Sequence, residues 1–145
     1  MYNPKEVKHV VLDGHSLTLE TFVAVARYGA TVELADSALE AMKKSRALAE
    51  KIAEEGRVAC GITTGVGDFQ RVAVSKEMSN QLSTNLILSH CTATGEPYAE
   101  EVVRGMLLLR ANALCVGVSG VRPILVQMMI EMLNKGVHPV VPQKG

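Results

Sequence analysis

The order of apolar and polar positions predicts a chain of short strands followed by helices. Residues 7–12 form a short β-like run, ended by the turn signal Asp13-Gly14. Thr18 is placed to accept from the free N–H groups of a first helical turn, and Glu20 suits the positive end of the helix dipole. Val23, Ala26 and Arg27 continue that helix and Gly29 stops it. Thr31–Leu34 reads as a second short extended run. Asp36-Ser37 opens a stronger helix, in which Ser37 and Glu40 have capping-box spacing. Leu39, Met42, Arg46, Ala49 and Ala53 share faces at helical spacing, and Gly56 ends the run.

Residues 60–68 (CGITTGVGD) break every period. Their glycines permit positive φ and close backbone approach, which makes a loop with functional potential. No Lys-Ser or Lys-Thr follows, so this is not a phosphate cradle. Ser75 is a plausible N-cap for a helix through Leu88. Gly95-Glu96-Pro97 restarts the chain, with Pro97 suited to a first helical position. Residues 100–116 predict a helix apolar nearly all round, as in a buried bundle. Gly117 and Gly120 punctuate, residues 121–133 give another apolar helix, and Asn134-Lys135-Gly136 stops it. The tail at His138-Pro139-Val140-Val141-Pro142 is expected to be extended. The expected fold is mainly α: a helix-bundle core of five helices with two or three short N-terminal strands and a Gly-rich loop. Nothing marks a boundary within residues 1–145.

Composition refines this picture. Of 145 residues, 48% are hydrophobic but only 3% aromatic, with no Trp, so the core must be aliphatic with help from seven Met. At this length roughly 68–70% of the unfolded surface can be buried. Fifteen basic and fifteen acidic residues cancel, which gives no electrostatic case for nucleic acid or an anionic membrane. No leader is visible at the N-terminus, and the longest apolar stretch is broken by Arg110 and Asn112, so no membrane span is expected. Three cysteines, Cys60, Cys91 and Cys115, without paired spacing argue against a disulfide framework or a zinc site and suit a reducing cytoplasm. Cys91 and Cys115 are read as small buried hydrophobes. His9, His15 and His138 read as surface or structural, Arg122 as a structural group at a helix start that bonds within an oligomer, and Met128, Met129 and Met132 as core or interface rather than metal ligands.

Three stretches together resemble one family. Gly61-Ile62-Thr63-Thr64-Gly65-Val66-Gly67 resembles the inner loop of histidine and phenylalanine ammonia-lyases. Asn85-Leu86-Ile87-Leu88-Ser89-His90 resembles that family's helix with an active-site histidine. Residues 109–122 (LRANALCVGVSGVR), with 134–145 (NKGVHPVVPQKG), resemble the run leading to its prosthetic-group segment. The order and spacing also fit, over essentially the whole chain. The resemblance implies an N-terminal portion of an aromatic amino-acid ammonia-lyase or aminomutase, of the fumarase-like superfamily fold. It implies a 4-methylideneimidazol-5-one group, made from an Ala-Ser-Gly tripeptide that these residues do not encode. The substrate is then an amino acid. The partners are a companion polypeptide or missing segment carrying the group, within a homo- or hetero-oligomer that is commonly a tetramer.

The resemblance also implies the site. Cys60 and His90 are the candidate catalytic residues, and Gly61, Thr64, Gly65 and Val66 the candidate substrate-binding ones; no metal is expected. Cys60 stands where the family pattern has the tyrosine that serves as base, and Val66 where it has Phe. Cys60 is then a repurposed base or nucleophile, a loss of the tyrosine, or the mark of another substrate or a non-catalytic role. His90 is a pocket histidine or a structural one; Ser89-His90 resembles histidine ammonia-lyases more than phenylalanine-specific ones. Three functions compete: a lyase portion completed by a second polypeptide, a non-catalytic helical scaffold, and a fragment of a longer chain.

Overall fold

The computed structural model describes residues 3–59, 61–65, 67, 72, 74 and 76–144, with the backbone alone at 76, 77 and 79. Among these the chain runs β1 (His9–Leu12), α1 (Leu19–Tyr28), β2 (Thr31–Leu34), α2 (Asp36–Glu54), α3 (Lys76–His90), β3 (Thr94–Pro97), α4 (Glu100–Cys115), α5 (Pro123–Asn134) and β4 (Pro142–Lys144). The architecture is mainly helical, as the patterning predicted.

β1 and β2 pair in parallel, with His9 opposite Thr31 and Leu12 opposite Leu34. The two-residue strand period turns Val10, Leu12 and Val32 into the core and leaves His9, Val11, Thr31 and Glu33 outside. α1 crosses between them. Thr18 caps it, accepting from Thr21 N while Thr21 Oγ1 accepts from Thr18 N. Gly29 ends it in the left-handed conformation, at φ 70°.

Two starts differ from the sequence expectation. Ala35, not Asp36 or Ser37, caps α2, and no side chain takes part. Ala35 donates its N–H to Leu12 O and its carbonyl accepts from Leu39 N, so the last bond of the sheet hands over directly to the helix. Ser37 therefore falls inside the first turn and the expected capping box does not form. Pro97 is not the first residue of a helix. It closes β3, which pairs antiparallel with β4, and α4 begins only at Glu100. Tyr98 N donates to Val141 O (2.9 Å) and Gln143 Nε2 to Pro97 O (3.1 Å). That partner strand lies some forty residues further on, out of reach of any local pattern.

α4 and α5 pack together and close over α1, α2 and the strands. The core joins Leu12, Val25, Met42, Leu108, Cys115 and Val126, all at most 1% exposed. Truncating such a side chain to alanine typically costs about 2–5 kcal/mol. α4 is not buried all round: Val102, Met106 and Leu109 are 41%, 49% and 53% exposed. α5 starts at Pro123 with Arg122 as its N-cap; Met129 is half-buried against the core and Met128 exposed.

Glycines let backbone meet backbone at two turns. A Cβ on Gly14 would lie 2.7 Å from Val116 N, and one on Gly117 2.8 Å from the carbonyl carbon of Ala41. Both also have positive φ, at 89° and 77°. On α4, Gly105 makes room for the ring of Phe22, whose Cζ would be 2.7 Å from an added Cβ.

Two polar side chains tie the core together: Arg104 carried no sequence signal, and Asn134 was read only as part of a helix stop. Arg104 is 7% exposed and donates from Nη1 to Leu133 O and from Nη2 to Val25 O, both at 3.0 Å. These carbonyls lie in the last turns of α5 and α1, where the helix dipoles favour a cation. Asn134 pairs its carboxamide with the backbone of Val32, accepting from Val32 N at 2.8 Å and donating to Val32 O at 2.9 Å. A side chain of α5 thereby stands in for a strand beside β2.

Replacing Arg104 by methionine leaves the Val25 carbonyl without its partner, a loss of about 1–3 kcal/mol, while the Leu133 carbonyl keeps Gly136 N at 3.3 Å. Urea unfolding of Arg104→Met should show a loss of unfolding free energy of that order, while Arg122→Met at the exposed N-cap should leave stability within about 0.5 kcal/mol. A second expectation concerns acid. The Asp13 carboxylate accepts from His15 N and Ser16 N, both at 2.8 Å. These bonds, His15 first, hold its pKa down to about 2 from an ordinary 3.8. A depressed pKa stabilises the fold fully above the unfolded value and is lost as pH falls towards the folded one. Thermal melts between pH 4 and pH 2 should show Asp13→Asn losing less stability on acidification than the parent chain.

Candidate functional site

The Gly-rich loop is braced by its own polar groups. The Ala59 carbonyl accepts from Ile62 N and Thr63 N, Thr63 Oγ1 accepts from Ala59 N and donates to Arg57 O, and Val74 N returns to Thr63 O. Gly65 N donates to Val72 O. Thr64 is 3% exposed, its hydroxyl directed at Gly65 O (3.0 Å) and Ala59 O (3.4 Å). Gly61 and Gly67 take positive φ, as a loop this tight requires. Gly61 and Ile62 face a cleft of about 420 Å³ whose other walls are α2, at Arg46, Glu50 and Glu54, and the turn at Ser119-Gly120. Arg46 pairs with Glu50 (2.7 Å) and reaches Gly120 O (3.4 Å), tying that turn to α2. Neither the Arg46 pair nor the turn was singled out in the sequence as belonging beside the loop.

The structure thus brings Gly61, Thr64 and Gly65 into one turn, with Gly61 towards the cleft and the other two buried. Cys60 and Val66 lie outside the described residues, as does Ser75. His90 is not among the residues lining that cleft. It sits at the C-terminal end of α3, exposed, with Nδ1 2.8 Å from Leu86 O and 3.0 Å from Ser89 Oγ. A carbonyl can only accept, so the first of these bonds places the hydrogen on Nδ1. The neutral ring then carries its lone pair on Nε2.

One expectation is corrected. Cys91 is exposed, not buried: it follows α3, with its thiol directed back to Ile87 O. Cys115 is buried as expected, and desolvation, with a smaller contribution from the Asp13 charge, pushes its thiol up to about 11. The arginine enclosed by the core is Arg104; Arg122 is exposed. His9 pairs with Glu33 across the outside of the small sheet (3.1 Å), as a surface role requires. His138 lies 3.9 Å from Glu100. Among the described residues, no group of three or more His, Cys, Asp or Glu is placed to hold a metal ion, and no helix is long and apolar enough to cross a membrane.

The mainly helical fold matches solved structures of ammonia-lyases and aminomutases. A family model described as aromatic amino acid lyase matches residues 17–145, and the chain belongs to that family. It is 50% identical over 139 residues to a histidine ammonia-lyase of Alkaliphilus metalliredigens, an alignment covering 96% of this chain and 27% of that protein. The crystal structure of histidine ammonia-lyase from Trypanosoma cruzi superposes with a TM-score of 0.84 at 38% identity, over 94% of this chain and 26% of that one. Tyrosine aminomutase from Streptomyces globisporus gives a TM-score of 0.88 at 37% identity, with the same two coverages. The chain corresponds to an N-terminal portion of such relatives and spans 27% of the length of the first.

The electrophilic group implied by the family needs an Ala-Ser-Gly tripeptide, which the 145 residues do not contain. The Thr63 and Thr64 hydroxyls and the Gly65 N–H are all engaged within the loop. Within the loop these groups are therefore committed to holding the turn's own shape.

The tautomer assigned to His90 is directly measurable. Long-range nitrogen–proton correlation spectra of the ¹⁵N-labelled chain in alkaline solution should show the proton on Nδ1. Ser89→Ala should leave that assignment unchanged, because the Leu86 carbonyl fixes it.

Proposed function

We propose that this chain is the N-terminal portion of a histidine-type ammonia-lyase, eliminating ammonia from an amino acid. The single observation that carries this reading is 50% identity to a histidine ammonia-lyase over 96% of the chain, with Ser89-His90 and the Gly-rich loop in the order that family has them. The β-proton of an amino acid is barely acidic and ammonia is a poor leaving group. Elimination therefore needs a base at the β-carbon and an electron sink at the amine. The methylideneimidazolone group, from a further segment or a second chain, is the electrophile that makes the amine a leaving group. In this proposal Gly61, Thr64, Gly65 and Val66 wall the substrate. Gly61 allows close approach because it has no side chain, and the buried Thr64 holds the turn in shape. His90 Nε2 accepts a hydrogen bond or proton from the substrate. Cys60 is the candidate base: its reference pKa is ~8.5 against ~10 for tyrosine. Its shorter side chain stands farther from the β-carbon, where a ~1 Å offset costs ~100-fold in rate. The working form is an oligomer of lyase units, commonly tetrameric in this family, with sites shared between subunits. An aminomutase, which returns the amine to the neighbouring carbon, uses the same parts.

Cys60 also favours a second reading, a non-catalytic relative that binds an amino acid without turning it over. One experiment separates the two. The chain is reconstituted with a polypeptide supplying the Ala-Ser-Gly segment and the rest of the lyase, and offered histidine, tyrosine and phenylalanine. Ammonia release is measured together with the near-ultraviolet absorbance of the conjugated acid. The isolated chain should release none. The assembly should be active, His90→Ala should lower kcat, and Cys60→Tyr should raise it by up to ~100-fold, the size of the offset penalty. An assembly that binds amino acid yet stays silent even as Cys60→Tyr would leave only the non-catalytic reading.

A further inference from the structure

The outer edge of β2 carries an unfilled place for another strand. Backbone groups alternate sides along a strand. Those of Thr31 and Ala35 turn towards β1, bonding Lys8 O and Leu12 O, so those of Val32 and Leu34 turn outwards. Asn134 takes both the N–H and the carbonyl of Val32. The N–H and carbonyl of Leu34, the next outward pair, have no partner among the described residues. Beside them runs a groove of about 600 Å³ between β2 and α5. Leu34, Leu39, Ile124 and Met128 line it, and Ile124 and Met128 are both 57% exposed, one helical turn apart. Its rim is acidic: Glu33, Asp36 and Glu131 border it, and the basic groups beside them, His9 on Glu33 and Lys135 on Glu131, are already paired. An open strand edge next to an apolar groove is the geometry by which sheets recruit an extended segment. The rim selects the charge of that segment. A second copy of this chain, meeting the face through a twofold axis, would set acid against acid.

We propose that this edge is a docking site for an extended segment of another polypeptide that bears lysine or arginine beside apolar residues. The segment adds as a short strand at Leu34, where Asn134 leaves off, and lays an apolar side chain between Ile124 and Met128. This site involves none of the candidate lyase residues, and the proposal does not depend on the lyase reading.

The test uses the ¹⁵N-labelled full chain and two capped pentapeptides, Lys-Val-Lys-Val-Lys and Glu-Val-Glu-Val-Glu. The lysine peptide should shift the Leu34 amide signal and slow its hydrogen exchange. Its affinity should exceed that of the glutamate peptide by about tenfold and fall as salt is raised. Methylating the backbone nitrogens of the two valines should abolish binding. Met128→Lys, a change at an exposed position, should weaken it by about tenfold while the Val32 and Asn134 signals stay in place, showing that the fold is intact. Equal binding of the two peptides, no binding of the lysine peptide, shifts that avoid Leu34, or an unaltered affinity in Met128→Lys would each overturn the proposal.

Discussion

The fold depends on one buried cation. The Arg104 guanidinium sits where α1, α4 and α5 converge and gives one N–H to each of two helix ends. No carboxylate pairs with it among the described residues, so its charge is met by carbonyls whose dipoles already point at it. Arginine suits this place because its planar fork reaches two acceptors at once, whereas a lysine ammonium is a point charge with a hydration shell to lose. The hydrophobic contacts around it are non-directional and would tolerate small shifts of the helices. The arginine fixes where two of them end. Asn134 follows directly on Leu133, whose carbonyl the arginine holds, and extends that fixed point to β2.

The elements legible in the sequence are those whose signals are local. Thr18, Gly29 and the short extended run Thr31–Leu34 each act within a few residues, and the structure has them where the sequence put them. The failures come from partners far along the chain. Pro97 reads as a helix start until β4 arrives to pair with it. Ser37 reads as a cap until the bond from Ala35 to β1 is known. Cys91 reads as a core residue because free cysteines usually are, but it follows a helix most of whose described side chains face solvent. Arg104 is invisible for the same reason: nothing in its neighbours shows that two carbonyls from distant helices will meet it.

The candidate site divides in the same way. The glycines and threonines of the loop could be picked out because their spacing is unlike any periodic element, and the turn they form is braced as their composition suggests. The cleft beside them could not, since Arg46 and Ser119-Gly120 come from two separate parts of the chain. His90 was found by resemblance, and its tautomer follows from a bond to its own helix.

The two kinds of close contact at glycine have different genetic consequences. At Gly105 the obstacle is the ring of Phe22, so a bulkier residue there has a conceivable suppressor: a smaller side chain at position 22. At Gly117 an obstacle is the main chain of Ala41, which no substitution at position 41 removes. A bulkier residue at the first position can thus be compensated by its single neighbour, whereas at the second no change of side chain at position 41 suffices.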